Sequence, residues 1–329
     1  MRYAYYPGCS LTRTAAPYDL SAKAIAGPLG LSLDEVDDWN CCGATEYISV
    51  SRAAAYALVG RNLALAAASG VSRDLVAPCS ACYLNLRKVD RYMAKYPGLR
   101  ERTNAALAAG GLHYEPGSLR VRHLLNVIVE DVGLDALRGH VVRTLDGLRL
   151  APYYGCLIAR PQWNGDGAAI DPEYPTHLDR LLRALGAEVV DFPLKTHCCG
   201  GHMTQISADT AYELIRRLLH NAAEYQADVI VTACPMCQLN LDAYQSQVNH
   251  HFGTSYRLPV LYFTQMIGLA MGLEPAVLGI GREIVSAAAA LKKMSAQAAE
   301  GAAAGAPAAP PRRKRDDKSL PMPRAREEA

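Results

Sequence analysis

Ten cysteines stand in two matching sets of five, and this duplication limits what the chain can fold into more than any other feature. The first set is Cys9, Cys41, Cys42, Cys79 and Cys82; the second is Cys156, Cys198, Cys199, Cys234 and Cys237. Each set is a lone cysteine, an adjacent pair and a C-x-x-C. The intervals are 31 and 36 residues in the first set and 41 and 34 in the second. The flanks repeat too. Tyr5-Tyr6-Pro7-Gly8-Cys9 answers Pro152-Tyr153-Tyr154-Gly155-Cys156, and Asn40-Cys41-Cys42-Gly43 answers His197-Cys198-Cys199-Gly200. After each C-x-x-C, Tyr83-Leu84-Asn85-Leu86 answers Gln238-Leu239-Asn240-Leu241. The repeating unit is roughly 140 residues, far longer than a solenoid period.

The compartment decides how such cysteines are read. The stretch Met1–Pro7 lacks the apolar core of a signal peptide, and the apolar run Val260–Gly272 is too short to cross a bilayer. These features predict a cytoplasmic chain without a transmembrane segment, whose thiols stay reduced; any membrane association would come through partners. Net charge is +2, and residues 282–329 carry 10 Lys or Arg against 6 Asp or Glu, so the basic excess belongs to the C-terminal segment. A body without basic excess argues against nucleic acid as a partner.

Four chemistries compete for the cysteines. Disulfides suit neither the compartment nor adjacent cysteines. A thioredoxin-type C-x-x-C leaves three cysteines per set unused. Structural zinc takes four tetrahedral ligands, one fewer than each set offers. An iron–sulfur cluster accommodates thiolates on several irons, so adjacent cysteines can serve different irons and a fifth can bridge two.

The coarse pattern alternates strand, cysteine loop and helix. Short strands are expected at Arg2–Tyr6, Leu33–Trp39 and Asp74–Ala77, and again at Leu148–Tyr154, Glu188–Phe192 and Asp228–Ala233. Helices are expected at Pro17–Gly30, Glu46–Gly70 and Tyr83–Tyr96, and at Glu173–Gly186, Thr204–Ala227 and Gln238–His250. Apolar helix-like runs, Val121–Gly133 and Val260–Gly272, close the two halves. The pattern predicts an α/β fold of two pseudo-repeated domains, each a mainly parallel sheet flanked by helices, with the cysteine sites at the carboxyl ends of the strands. The expected boundaries are 1–145, 146–284, and an Ala/Pro-rich basic tail at 285–329 whose composition predicts disorder.

The repeated C…CCG…C-x-x-C arrangement over residues 1–281 resembles the CCG cysteine-rich domain, and two such domains resemble the B subunit of heterodisulfide reductase. The resemblance implies that each five-cysteine set holds a non-cubane [4Fe-4S] cluster. It also implies that a small disulfide is cleaved, or formed from thiols, between the two clusters by paired one-electron transfers. Electrons would come from a ferredoxin-like subunit, with a flavin-bearing subunit in the same complex. No GxGxxG after a strand, Walker loop or ferredoxin cysteine run is present, so flavin and nicotinamide are not expected in this chain. The substrate stays open between the coenzyme M–coenzyme B disulfide and a bacterial sulfur compound. Two alternatives stand beside this reading: an electron-transfer CCG subunit of a succinate- or lactate-type dehydrogenase, and a zinc-bound scaffold.

Beyond the ligands, His197 and His202 flank the second cysteine pair and are candidate catalytic acids. Lys195 reads as a solvated loop residue, Tyr5, Tyr6, Tyr153 and Tyr154 as core or site wall, and Arg13 and Arg160 as a symmetric pair four residues after each lone cysteine. An insertion near Gln162–Asp171 accounts for the longer interval in the second set.

Overall fold

The computed structural model describes residues 1–44, 46–160 and 171–294. Among these residues, strands form two four-stranded sheets in which every pairing is parallel. The first sheet holds β1 (Arg2–Tyr5), β2 (Ser32–Glu35), β3 (Asp74–Ala77) and β4 (Arg120–His123), in the order β2-β1-β3-β4. The second holds β5 (Arg149–Tyr153), β6 (Glu188–Val189), β7 (Val229–Thr232) and β8 (Val260–Tyr262), in the matching order β6-β5-β7-β8. The expected α/β architecture is therefore present. Central β7, Val-Ile-Val-Thr, is buried at every residue, as a strand covered on both faces must be. Edge strands β2 and β6 are polar and shorter than the sequence suggests, as sheet edges tend to be.

Helices of the first half are α1 (Ala16–Ala26), α2 (Tyr47–Val50), α3 (Arg52–Ala68), α4 (Ser80–Lys95), α5 (Pro97–Ala108), α6 (Leu124–Asn126) and α7 (Leu134–Gly139), with a π-helical stretch, Val127–Gly133, between the last two. Those of the second are α8 (His177–Ala184), α9 (Ala208–Glu224), α10 (Pro235–Ala243), α11 (Gln245–Phe252) and α12 (Phe263–Ala270). Three expected helices are broken, one of them Gln238–His250, which Tyr244 divides into α10 and α11. Ser51 turns extended between α2 and α3 and caps α3 by accepting the Ala54 N–H. In the second half a 3₁₀ turn, Gly201–Gln205, precedes α9.

The closing runs correct the sequence reading. They begin as β4 and β8, with Leu75 opposite Val121 and Ile230 opposite Val260, and only then become helical. A short continuous apolar run carries no decisive period, so the neighbouring strand decides its conformation.

The two halves interlock reciprocally. Helix α1 packs on α12 of the other half, and α8, the counterpart of α1, packs on α6 and α7. Tyr18 stacks on Tyr262 at 4.3 Å with an interplanar angle of 11°. Three residues further along α1, the Ser21 hydroxyl lies 2.6 Å from that of Thr264. One hydrophobic core runs through both halves, and a smaller one lies under the second sheet. From position 285 onward, residues 288–294 are helical and Ala287, Ala290 and Met294 are buried in the shared core. The rest of the basic tail, including Pro311–Asp317, lies outside the described residues, as does 161–170, where most of the proposed insertion falls.

Lys195 is the plainest reversal. It is 1% exposed, its ammonium donates to Asp179 at 3.1 Å, and Tyr154 donates to the same carboxylate at 2.6 Å. Its loop lies beneath α8, which a linear reading cannot see. Its backbone carbonyl accepts the N–H groups of Tyr154 and Gly155, so it pins the turn before Cys156. Lys195→Met leaves a buried, uncompensated carboxylate and is expected to cost about 3–5 kcal/mol in denaturant unfolding. Adding Asp179→Asn should recover most of that loss.

Candidate metal centre

Strands β2, β1 and β3 lie side by side and parallel, so their carboxyl ends reach one edge of the sheet. The lone cysteine follows β1, the adjacent pair follows β2, and the C-x-x-C follows β3. The second sheet repeats this with β5, β6 and β7. In the first set Cys9 and Cys41 sulfurs lie 3.5 Å apart, and Cys42 and Cys82 sulfurs 3.4 Å apart. In the second, Cys199 and Cys237 are 3.6 Å apart, and Cys156 and Cys198 lie close enough to shift each other's ionisation. Each set is graded from core to surface. Cys42, Cys79, Cys82, Cys199, Cys234 and Cys237 are buried, Cys156 is half-buried, and Cys9, Cys41 and Cys198 are exposed.

The local sequence prepares these thiols to ligate. Gly43 and Gly200, at φ +74° and +94°, point their N–H groups back to Cys41 and Cys198 sulfurs at 3.4 and 3.3 Å. That left-handed backbone explains the glycine after each pair. Hydrogen bonds from Cys42 and Cys9 draw the Cys41 thiol down, and Cys156 draws Cys198 down, while the same contacts push Cys9 and Cys156 up. Cys79 and Cys234 occupy the N-cap positions of α4 and α10; the Cys234 sulfur and burial push the Cys79 thiol up, while Cys237 and Cys79 draw Cys234 down. Asn85 and Asn240, three residues after each C-x-x-C, donate to Cys42 and Cys199 sulfurs at 3.7 and 3.5 Å. They also donate to the Ala44 and Gly201 carbonyls at 2.5 and 2.7 Å, so each ties its helix to the cysteine-pair loop. The repeat of these asparagines is legible in the sequence; their role is not.

The two sets are contiguous. Cys79 and Cys234 lie close enough across the boundary between the halves to shift each other's ionisation. A cavity of about 520 Å³ opens over the first set and one of about 280 Å³ over the second, and both are lined by Glu46, His202 and Met236. His202 Nδ1 lies 2.7 Å from Glu46 Oε2, joining the halves at the mouth. Glu46 is a site residue the sequence reading missed, because nothing in the repeat links it to His202.

The other candidates separate. His197 is exposed and lines neither cavity; its carbonyl accepts the Tyr153 hydroxyl at 2.7 Å. Tyr6 makes the equivalent bond to the Asn40 carbonyl at 2.7 Å, so Tyr6 and Tyr153 form matched walls beside the thiols. Tyr5 and Tyr154 bond to Asp19 and Asp179; Tyr5 packs the interior, whereas Tyr154 also lines the cavity over the second set. Arg13 and Arg160 are both exposed and line neither cavity; Arg160 donates to the Thr196 carbonyl at 2.8 Å.

The donor set suits a polynuclear iron–sulfur group. It offers five soft thiols from three loops, two of them adjacent in sequence, with backbone and side-chain N–H groups aimed at the sulfurs. Among the described residues no group of three or more His, Cys, Asp and Glu is arranged around a single metal ion.

The family model for the CCG cysteine-rich domain matches the chain twice, over residues 3–87 and 150–242. The chain belongs to the CCG cysteine-rich domain family. Relatives of this CCG protein include B subunits of heterodisulfide reductases, as the motif suggested. The 8-methylmenaquinol:fumarate reductase membrane anchor subunit of Wolinella succinogenes is 33% identical over 285 residues, 87% of this chain and 97% of that protein. The B subunit of the ferredoxin:CoB-CoM heterodisulfide reductase of Methanosarcina mazei is 31% identical, covering 84% of this chain and 92% of that protein. A protein of Archaeoglobus profundus that is like the heterodisulfide reductase B subunit is also 31% identical, with the same coverage of 84% and 92%. A solved hypothetical protein from Helicobacter pylori shares the fold with a TM-score of 0.71 at 16% identity over 87% of this chain, which spans about half (52%) of that one. Among the described residues no helix of this CCG protein is long and apolar enough to cross a membrane.

Gly8 and Gly155 test the cradle. A Cβ at Gly8 would sit 2.8 Å from the Cys82 sulfur, and one at Gly155 2.8 Å from that of Cys237; both glycines have positive φ. Gly8→Ala and Gly155→Ala are each expected to cost about 2 kcal/mol or more in thermal unfolding. Gly27→Ala, which meets open space, should stay within about 0.5 kcal/mol.

Proposed function

We propose that the chain is the iron–sulfur subunit of a heterodisulfide-reductase-type complex and that it cleaves, or forms, a disulfide in the cleft between its two five-thiol sets. The observation that carries this reading is the presence of two complete five-cysteine sets whose cavities share Glu46, His202 and Met236, with the His202–Glu46 pair between them. The relatives named for the B subunit of heterodisulfide reductase support it.

Cys9, Cys41, Cys42, Cys79 and Cys82 would hold one non-cubane [4Fe-4S] cluster, and Cys156, Cys198, Cys199, Cys234 and Cys237 the other. When bound, the two clusters would supply one electron each, so this chain needs neither flavin nor nicotinamide. Reduction of a disulfide takes two electrons and two protons and yields two thiols. The chain's own residues handle the protons and the geometry. Glu46 occupies His202 Nδ1, so proton exchange at the cleft falls to Nε2. Gly43, Gly200, Asn85 and Asn240 steady the ligand sulfurs by donating N–H groups. Tyr6 and Tyr153 hold the backbone just before each cysteine pair through the Asn40 and His197 carbonyls. Electrons would arrive through a ferredoxin-like subunit, with a flavin-bearing subunit in the same complex. The chain would be cytoplasmic, and any membrane contact would be made through partners.

A second reading is an electron-transfer subunit of a succinate- or fumarate-type membrane enzyme, favoured by the Wolinella succinogenes relative. Iron and acid-labile sulfide, measured with EPR on protein purified without oxygen, test the cluster assignment. About eight irons and eight sulfides per chain are expected. About four would leave one half without a cluster and favour the relay reading; zinc without iron would overturn both. His202→Gln and Glu46→Gln should keep the full iron complement but lower disulfide turnover about 10- to 100-fold.

A further inference from the structure

We propose that the cleft between α4 and β4 is a second binding site, for a small metabolite that carries a phosphate or carboxylate group and a hydrogen-bond donor. It lies apart from the thiol sets, since none of its described lining residues is a cysteine.

The cleft encloses about 530 Å³, the size of sites that take small molecules. One wall is a face of α4, where Tyr83, Arg87 and Arg91 recur at four-residue intervals. The other runs from Arg120 and Arg122, on one face of β4, to Asn126, Glu130 and Asp131. Arg73, next to β3, completes the charged lining. Among the described lining residues five are Arg and three are Asp or Glu.

The charges divide by place. On the β4 side the buried Arg122 guanidinium donates to Glu130 at 2.7 Å and to Asp131 at 3.0 Å, and Arg120 pairs with Asp74 outside the lining. The other three arginines share the cleft with one carboxylate, Asp90, which accepts from the Tyr114 hydroxyl at 2.7 Å and the Gly117 N–H at 2.8 Å. Arg73 donates to the carbonyls of Ser118 and Gly117, both at 3.3 Å, and these neutral acceptors do not compensate its charge. Arg87 and Arg91 are half-buried, and Arg87 is steadied by donating to the Tyr83 hydroxyl at 2.7 Å. All the cations are arginine, whose planar fork matches the paired oxygens of phosphate or carboxylate.

Asn126 supplies the second contact. It is 3% exposed, lines the cleft, and its Oδ1 accepts no hydrogen bond. A buried amide oxygen without a partner is costly, and an N–H or O–H group on the ligand would satisfy it. The π-helical stretch Val127–Gly133 follows directly, a distortion that recurs at functional sites.

The test uses the full-length holoprotein, purified without oxygen and kept in about 0.15 M salt so that loose ion pairing is screened. ADP, glycerol 3-phosphate and glutamate are titrated by calorimetry. At least one should bind one-to-one with a Kd below about 1 mM and raise the Tm. Preference for the first two assigns phosphate, and preference for glutamate assigns carboxylate. Arg73→Ala combined with Arg91→Ala should weaken that binding ~10-fold or more, while iron content and disulfide turnover stay unchanged. Asn126→Leu should also weaken it without lowering the Tm of the unliganded protein. Binding of none of the three probes, or binding unmoved by the arginine changes, overturns the site. Tighter binding of a decaglutamate peptide than of every probe overturns the small-molecule class and assigns the cleft to an acidic protein surface. None of these outcomes bears on the function proposed for the thiol sets.

Discussion

Everything at the thiol centre depends on strand direction. All pairings within each sheet are parallel, so the carboxyl ends of β1, β2 and β3, and of β5, β6 and β7, leave their sheets at a common edge. Were β2 reversed, its cysteine pair would emerge at the far edge, a strand length away from the other three cysteines of the set. Parallel neighbours need crossover helices, and the helices bury both faces of strands such as β7. One choice of direction thus fixes the apolar sequence of the strands, the helices between them and the convergence of loops some 70 residues apart in the chain.

A second constraint turns two sites into one cleft. A duplicated unit needs only to fold twice, and two independent copies would leave their cysteines on unrelated surfaces. Here α1 reaches over to α12, and α8 to α6 and α7. The Tyr18 hydroxyl accordingly donates to carbonyls of both C-x-x-C approaches, Pro78 at 3.0 Å and Ala233 at 3.4 Å. The Ser80 hydroxyl also donates to the Ala233 carbonyl at 3.4 Å, so two side chains tie the approaches together beside Cys79 and Cys234. His123 ends β4 in the same region. It is buried, and desolvation holds its imidazole neutral with a pKa lowered to about 4. Its Nδ1 accepts the Leu125 N–H, and Ser80 lies 3.4 Å from Nε2. The boundary between the halves thus joins polar contacts to apolar packing.

The centre also shows why small residues recur beside the cysteines. Cys82 and Cys237 sulfurs lie where the side chains of positions 8 and 155 would stand, so glycine is the residue that lets the lone-cysteine loop pass. The glycines after the cysteine pairs adopt left-handed backbone to return an N–H to sulfur. Both devices put backbone where a larger residue would put side chain, and both halves use them in the same way.

Much of this was legible in the sequence. The two five-cysteine sets, their placement after strands and the α/β alternation follow from residue type and spacing, because thiol chemistry and apolar runs are local properties. The fourth strands were hidden inside apolar runs, since Val121 and Val260 become strand only when β3 and β7 lie beside them. Lys195 looked solvated until α8 folded over it, and His197 and His202 looked alike until one faced solvent and the other met Glu46. By itself the sequence determined which atoms could ligate, how many, and in which repeated order. Tertiary structure alone decided that the two sets face each other, which histidine stands between them, and that the walls around them are apolar. Those properties arise where residues far apart in the chain meet, and no local pattern encodes that meeting.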